Sequence, residues 1–240
     1  MAAGAMGKAY DATWGRVFAR FYDRALKATE ENGLGAMRGE LLVAASGRVI
    51  EIGAGTGVNL ELYGDGVEDL TLVEPDPHMG AQLRKRLAER GEEEARGGVS
   101  IDPADALAAP VKPIPAHLVA APAEALPFPD DTFDTAVATL VLCTIPDPAA
   151  AIDEMARVLK PGGRLLFIEH VRAEDPSSAR WQDRFEKPWR IVADGCHCNR
   201  DTEANLRASS FKVESIDHTK MPKAAPIVRP LIRGTAVLTN

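Results

Sequence analysis

The chain has 240 residues, enough for one large α/β domain or one domain with a small appended cap. Its 28 Lys and Arg against 35 Asp and Glu give a net charge of −7, which argues against a general nucleic-acid binder, since phosphate neutralisation needs a basic surface. Hydrophobic residues make up 45% of it, yet no apolar run approaches the ~20 residues that span a bilayer, and three cysteines make a poor disulfide framework.

Residues 10–45 carry Tyr10, Trp14, Val17, Phe18, Phe21, Tyr22 and Ala25 at roughly helical spacing, with Gly33 and Gly35 breaking the pattern before a shorter helix over 37–45. A strand over 48–52 then runs into a glycine-rich turn. From there the chain alternates: a helix near 57–63, a strand over 69–74, a helix over 77–90, strands over 117–121 and 133–141, a helix over 148–159 and a strand over 163–170. Residues 91–116, rich in Gly, Pro, Ala and acidic side chains, interrupt the rhythm and read as a flexible surface insertion. The tail adds a helix over 200–209, a strand over 211–217, a proline-rich connector and a last strand over 232–238, the two strands suiting an antiparallel pair. The expected fold is α/β: a doubly wound, seven-stranded, mostly parallel sheet over 46–240, with an N-terminal helical lid over 1–45.

The sharpest local signal is Glu51-Ile52-Gly53-Ala54-Gly55-Thr56-Gly57. Glycines at a strand end let the backbone approach a ligand without Cβ clashes, and a helix N-terminus supplies free N–H groups. A dinucleotide fingerprint calls for glycine where Val58 stands, and the Gly-Lys-Ser/Thr ending of a P-loop is missing. The pattern resembles the first motif of class I S-adenosylmethionine (SAM)-dependent methyltransferases. Three later segments extend the likeness. Ala121-Pro122-Ala123-Glu124-Ala125-Leu126-Pro127-Phe128-Pro129-Asp130 resembles the segment that wraps the adenine, Phe133-Asp134-Thr135-Ala136-Val137 enters the fourth strand, and Ala156-Arg157-Val158-Leu159-Lys160-Pro161-Gly162-Gly163 matches the turn before the fifth.

The resemblance implies SAM as cofactor, with S-adenosylhomocysteine as product, held by Glu51, Gly53, Ala54, Gly55, Gly57, Asn59, Glu74, Pro75, Ala123, Glu124, Thr139 and Leu140. Glu51 would hold the ammonium group, and Glu74, ending the second strand, would accept hydrogen bonds from the ribose hydroxyls. The family often has an acidic residue where Pro122 stands, so the adenine contact passes to Glu124 or to backbone groups.

Phe167-Ile168-Glu169-His170-Val171, Trp181-Gln182, Phe185-Glu186-Lys187-Pro188-Trp189, Asp194-Gly195-Cys196, Arg200-Asp201-Thr202 and Thr139-Leu140-Val141-Leu142-Cys143 resemble the methyltransferase-like group that includes alkyl-thiol S-methyltransferases. The resemblance then runs from about residue 48 to the C-terminus. It implies a small-molecule thiol as methyl acceptor. O-, N- or C-transfer to a quinone, phenol, natural product or phospholipid headgroup competes, as does a SAM-binding protein without catalysis. His170, after the fifth strand, is the candidate general base, or else only a hydrogen-bonding partner of a neighbouring loop. Trp14, Tyr22, Cys143, Trp181 and Phe185 are expected around the acceptor, with Phe18 and Phe21 better suited to core packing. Cys143 reads as an apolar strand residue, not a nucleophile.

Cys196-His197-Cys198 lacks the Cys-x₂₋₄-Cys spacing and second ligand pair of a structural zinc site, so no metal is expected. Arg84-Lys85-Arg86 reads as a solvated helix face, and surface ion pairs are the commoner fate for Arg190 and Arg200. No nucleic-acid partner or membrane span is expected. A start without a basic segment and apolar core makes a cytoplasmic location the default. Oligomeric state is left open.

Overall fold

Seven strands, β1 (Gly47–Ile52), β2 (Val67–Val73), β3 (Ala116–Val119), β4 (Phe133–Thr139), β5 (Leu159–His170), β6 (Phe211–Lys220) and β7 (Pro230–Leu238), form one sheet in the order β3-β2-β1-β4-β5-β7-β6. The computed structural model describes residues 2–95 and 114–239, with side chains from residue 15 to 91 and again from 114; most of the 91–116 insertion and the Tyr10 and Trp14 side chains lie outside the described residues. The first five strands of that order pair in parallel, and β7 runs antiparallel between β5 and β6, in keeping with the tail pattern.

Parallel strands need helices over both faces, so their residues are buried on both sides and read as near-continuous apolar runs. Alternate side chains of β1 sort accordingly. Ile50 and Ile52 join Ala136, Leu165, Phe167 and the residues Ile152, Met155 and Val158 of α4 (Pro148–Val158). Val49 joins Leu70, Leu72, Val137 and Ile168 with Leu41 and Leu42 of α2 (Gly35–Leu42) and Leu83 of α3 (Pro77–Ala95). Glu51 shares the second face with Val49 by strand alternation. β5 opens with a bulge: Phe133 and Thr135 of β4 face Leu159 and Arg164, leaving Lys160-Pro161-Gly162-Gly163 unpaired between them.

The N-terminal helix α1 (Ala2–Thr29) meets α2 through a one-turn π segment kinked at Gly33, whose φ is 137°. Two expectations are corrected. The helix near 57–63 reduces to a single 3₁₀ turn, Leu60–Leu62. Residues Pro176–Val192, to which the sequence pattern assigns no element, form α5. Pro188 obscures this helix because an interior proline removes a backbone hydrogen bond. The start signal is nevertheless present: Asp175 accepts from Ser178 N–H at 2.8 Å and Pro176 opens the first turn. Asp147 and Asp201 cap α4 and α6 (Thr202–Ala208) in the same way. No described helix is long and apolar enough to cross a membrane.

Candidate active site

The chain leaves β1 toward β2 and β3 and returns to β4 on the other side of β1. Ligands of open α/β sheets bind where strand order reverses in this way, beyond the carboxyl ends of the strands. A cavity of about 1100 Å³ opens there, larger than one drug-sized ligand needs and so able to take a cofactor and an acceptor together.

One end of the cavity is built by the turn after β1. Gly53 has φ 64°, and a Cβ on it would lie 2.1 Å from Val141 Cγ2, so only glycine lets this turn pass beneath the loop after β4. Glu74 stands opposite, just past β2. Its carboxylate accepts from the Gly55 N–H and the Asp76 N–H, both at 2.8 Å, and burial pushes its pKa up against those two donors. Pro75, Asp76, Ala123 and Glu124 continue this wall, and Thr139 and Leu140 complete it from β4. Leu140 sits in the left-handed region with φ 58°, unusual outside glycine and a mark of functional loops.

Behind the turn lies a buried polar network that joins Glu51, Asn59 and Thr139 to Arg38, Glu30 and Tyr63, which no sequence motif announces. Arg38 of α2 is 1% exposed; its Nη1 donates to Thr139 Oγ1 at 2.7 Å and Asn59 Oδ1 at 3.2 Å, and its Nε to Glu30 at 3.2 Å. Asn59 Nδ2 donates to Glu51 and Thr139, each at 2.9 Å, and Tyr63 O–H donates to the other Glu51 oxygen at 2.7 Å. Burial raises the pKa of Glu51, opposed by those two donors and by Arg38. A weaker signal exists: Arg38 shares the apolar helical face of Leu34, Leu41 and Leu42, an expensive place for an unpartnered charge.

The other end is apolar and is closed by α1, α5 and the loops around 143 and 196. Val17, Phe18, Phe21, Tyr22, Ala25 and Leu26 of α1 line it, with Cys143, Ile145, His170, Trp189, Cys196 and Val228 facing them. Phe21 is 50% exposed and lines the cavity, so its expected place in the core is corrected. Polar tethers hold α1 over the cleft. Asp23 accepts from Thr56 Oγ1 at 2.6 Å and from Arg86, and Gln82 Nε2 donates to the Ala19 carbonyl at 2.6 Å. Arg86 therefore secures the N-terminal helix and is not only part of a solvated face.

His170, the last residue of β5, is buried and lines the cavity, and its Nδ1 has no hydrogen-bond partner among the described residues. Burial pushes its pKa down to about 4, against a backbone hydrogen bond at Val228, so the ring is neutral near pH 7. The neighbouring Glu169 points elsewhere: it accepts from the N–H groups of Val141, Leu142 and Cys143 at 2.9, 2.8 and 3.2 Å and so clamps the loop after β4. Burial pushes its carboxyl up to about 7 despite these donors.

Of the residues singled out by sequence, Gly53, Gly55, Glu74, Pro75, Ala123, Glu124, Thr139, Leu140, Tyr22, Cys143 and His170 line this cavity. Glu51, Ala54, Gly57 and Asn59 stand behind it and support the turn. Trp181 and Phe185 are brought together, stacked with centroids 4.9 Å apart, but on the outer face of α5. They line a separate groove that shares only Trp189 and Val192 with the main cavity, so their expected place at the acceptor is corrected. Helix geometry explains this: Gln182, one position on, takes the inward face and its amide donates to the carbonyls of Val171, Cys198 and Ile227. Arg190 pairs with Glu186 as expected, whereas Arg200 donates to the Leu142 and Ile145 carbonyls at 2.5 and 2.7 Å. No cluster of three metal-ligating side chains occurs among the described residues.

A methyltransferase-domain profile matches residues 50–167. Thiol S-methyltransferase TMT1B of Homo sapiens is 34% identical over 200 residues, covering 82% of this chain and 73% of that protein. Phosphatidylethanolamine N-methyltransferase of Cereibacter sphaeroides is 35% identical over 137 residues, 57% of each chain. The crystal structure of the N-methyltransferase NodS from Bradyrhizobium japonicum, in complex with S-adenosylhomocysteine, superposes with a TM-score of 0.55 at 15% identity, over 88% of this chain and 90% of that one. The chain belongs to the class I SAM-dependent methyltransferases, and within them it resembles the thiol S-methyltransferase group.

Proposed function

We propose that the protein transfers the methyl group of SAM to a small-molecule thiol. The observation that carries this reading is one continuous cavity with two chemistries: a glycine turn facing Glu74 at one end, and a largely apolar chamber lined by His170 at the other. The thiol S-methyltransferase activity of the TMT1B relative, similar over most of the chain, favours sulfur over the other acceptor atoms.

When bound, SAM supplies an electrophilic methyl group on a positively charged sulfur. The chain's residues fit it. Glu74, with one oxygen on the Gly55 N–H and one on the Asp76 N–H, would take ribose hydroxyls, and Gly55 leaves open space where a Cβ would meet nothing closer than 4.0 Å. Arg38, one hydrogen bond behind Thr139, brings positive charge to the end that would receive the carboxylate. The largely apolar walls around Tyr22, Ile145 and Val228 would displace water from a bound acceptor. His170 Nδ1 accepts the thiol proton. A thiol with a reference pKa of about 8.5 is already partly ionised near neutrality, and its proton grows more acidic as sulfur takes the methyl group, so a weak base suffices. α1, tethered by Asp23 and Ala19, acts as the lid.

The test is S-adenosylhomocysteine release from purified protein, SAM and a panel of small thiols, phenols, amines and quinols. Turnover confined to thiols is expected. Turnover confined to phenols, quinols or amines would overturn the acceptor assignment while leaving the cofactor site in place.

A further inference from the structure

The two cysteines that line the acceptor chamber, Cys143 and Cys196, place their sulfurs 3.8 Å apart although they lie 53 positions apart in the chain. Both are free. A disulfide bond measures about 2.05 Å, so the sulfurs need to close by roughly 1.8 Å. The backbone on either side is already fixed in place for that step. The His197 N–H donates to the Cys143 carbonyl at 2.8 Å, and Arg200 from the same loop holds the carbonyls of Leu142 and Ile145. On the other side Glu169 clamps the Cys143 N–H. Nothing in methyl transfer requires a second thiol beside the first.

We propose that Cys143 and Cys196 form a redox-active dithiol that reduces a small-molecule disulfide entering the acceptor end of the cavity. Cys196 is the attacking sulfur. The Cys143 thiol as hydrogen-bond partner holds the Cys196 pKa down, and Arg200 nearby adds to this. Cys143 is held well above its usual value, by the same contact and by burial, and so keeps its proton until the second step. The Cys196 thiolate attacks one sulfur of the disulfide, forming a mixed disulfide and expelling one thiolate. Cys143 then gives its proton to that thiolate and attacks Cys196 Sγ, forming the Cys143–Cys196 bond and expelling the second thiolate, which takes from solvent the proton that Cys196 released on ionising. In sum, one external disulfide and two protein thiols become two external thiols and one protein disulfide, with two electrons passing to the external disulfide. A dithiol reductant restores the starting state. The exchange delivers a thiol into the chamber that, on the proposed function, methylates thiols, yet it rests on the paired sulfurs and not on that function.

The test uses 2-hydroxyethyl disulfide on the full chain without SAM, so its outcome is separate from that of the methylation assay. After exposure, the reaction is stopped with acid, and the protein is unfolded and alkylated. The expected result is loss of two of the three alkylatable cysteines, a peptide map joining Cys143 to Cys196, and two thiols released per chain. Cys143→Ser should stall as a mixed disulfide on Cys196 with one thiol released, and Cys196→Ser should release none. Three intact thiols in folded wild-type protein under excess disulfide, or a link through Cys198, would overturn the proposal. The wild-type arm decides by itself if a variant does not fold.

Discussion

The two ends of the cavity are built by different means. The glycine-turn end is made of backbone and short polar side chains locked by hydrogen bonds, with Glu74, Asn59, Arg38 and Glu51 each holding at least two partners or held by two. The end proposed for the acceptor is made largely of apolar side chains from α1, α5 and two loops, with His170 among them. A site with satisfied partners is rigid and selective for one ligand, whereas an apolar chamber discriminates weakly between acceptors that differ by a methylene. On the proposed function, the cofactor is thereby specified by geometry and the acceptor by size and polarity.

That contrast breaks most visibly at Gly53. Gly53→Ala forces a Cβ into Val141 and an unfavourable φ, together about 2–4 kcal/mol, so SAM affinity should fall about 100-fold by calorimetry. An unchanged affinity would mean that the turn is not the cofactor end.

Next in size is the stability of the neighbouring pair Glu169 and His170, which respond to pH in opposite senses. Glu169, raised from 4.5 to about 7, contributes stability that is fully present below pH 4.5 and is lost as pH rises through 7. His170, lowered from 6.5 to about 4, contributes stability present above pH 6.5 and lost as pH falls through 4. Each amounts to about 3 kcal/mol, and in the window they share the two offset each other. Denaturation of Glu169→Gln relative to wild type should therefore gain stability with rising pH across that window, and His170→Asn should lose it. Parallel curves for both variants would show that one of the two is not buried as described.

Glu74→Gln keeps the shape and removes the charge, so SAM binding should weaken about 10-fold, in line with the loss of a charge-assisted hydrogen bond. The smallest effect belongs to Trp181→Ala. Its ring stacks on Phe185 outside the cavity, so SAM affinity and thiol turnover should change less than about 2-fold, within the range of surface substitutions. A large loss there would put α5's outer groove back into the acceptor site.

The same contrast decides what is legible in the sequence. A turn that tolerates no Cβ writes itself as glycine, and a carboxylate ending a strand after it is a local pattern, so Gly53, Gly55 and Glu74 can be named from the sequence alone. Apolar runs and turn residues likewise reveal the sheet. The acceptor end is assembled from segments far apart in the chain, and no local period reports that Phe21 turns toward a cleft, that Trp181 turns away from it, or that Cys196 meets Cys143. Arg38 falls between: its position on an apolar helical face marks it, but its partners Asn59 and Thr139 emerge only from packing.

The most direct test of a two-ended cavity is a single turnover of SAM-loaded His170→Gln with a small thiol. SAM should bind as it does to wild type, and methyl transfer should slow about 100-fold, the usual contribution of a positioned acid or base. The wild-type rate should also show no step near pH 6.5, because the ring is neutral down to about 4. Transfer at the wild-type rate in His170→Gln, or SAM affinity lost with it, would contradict the separation of the two ends.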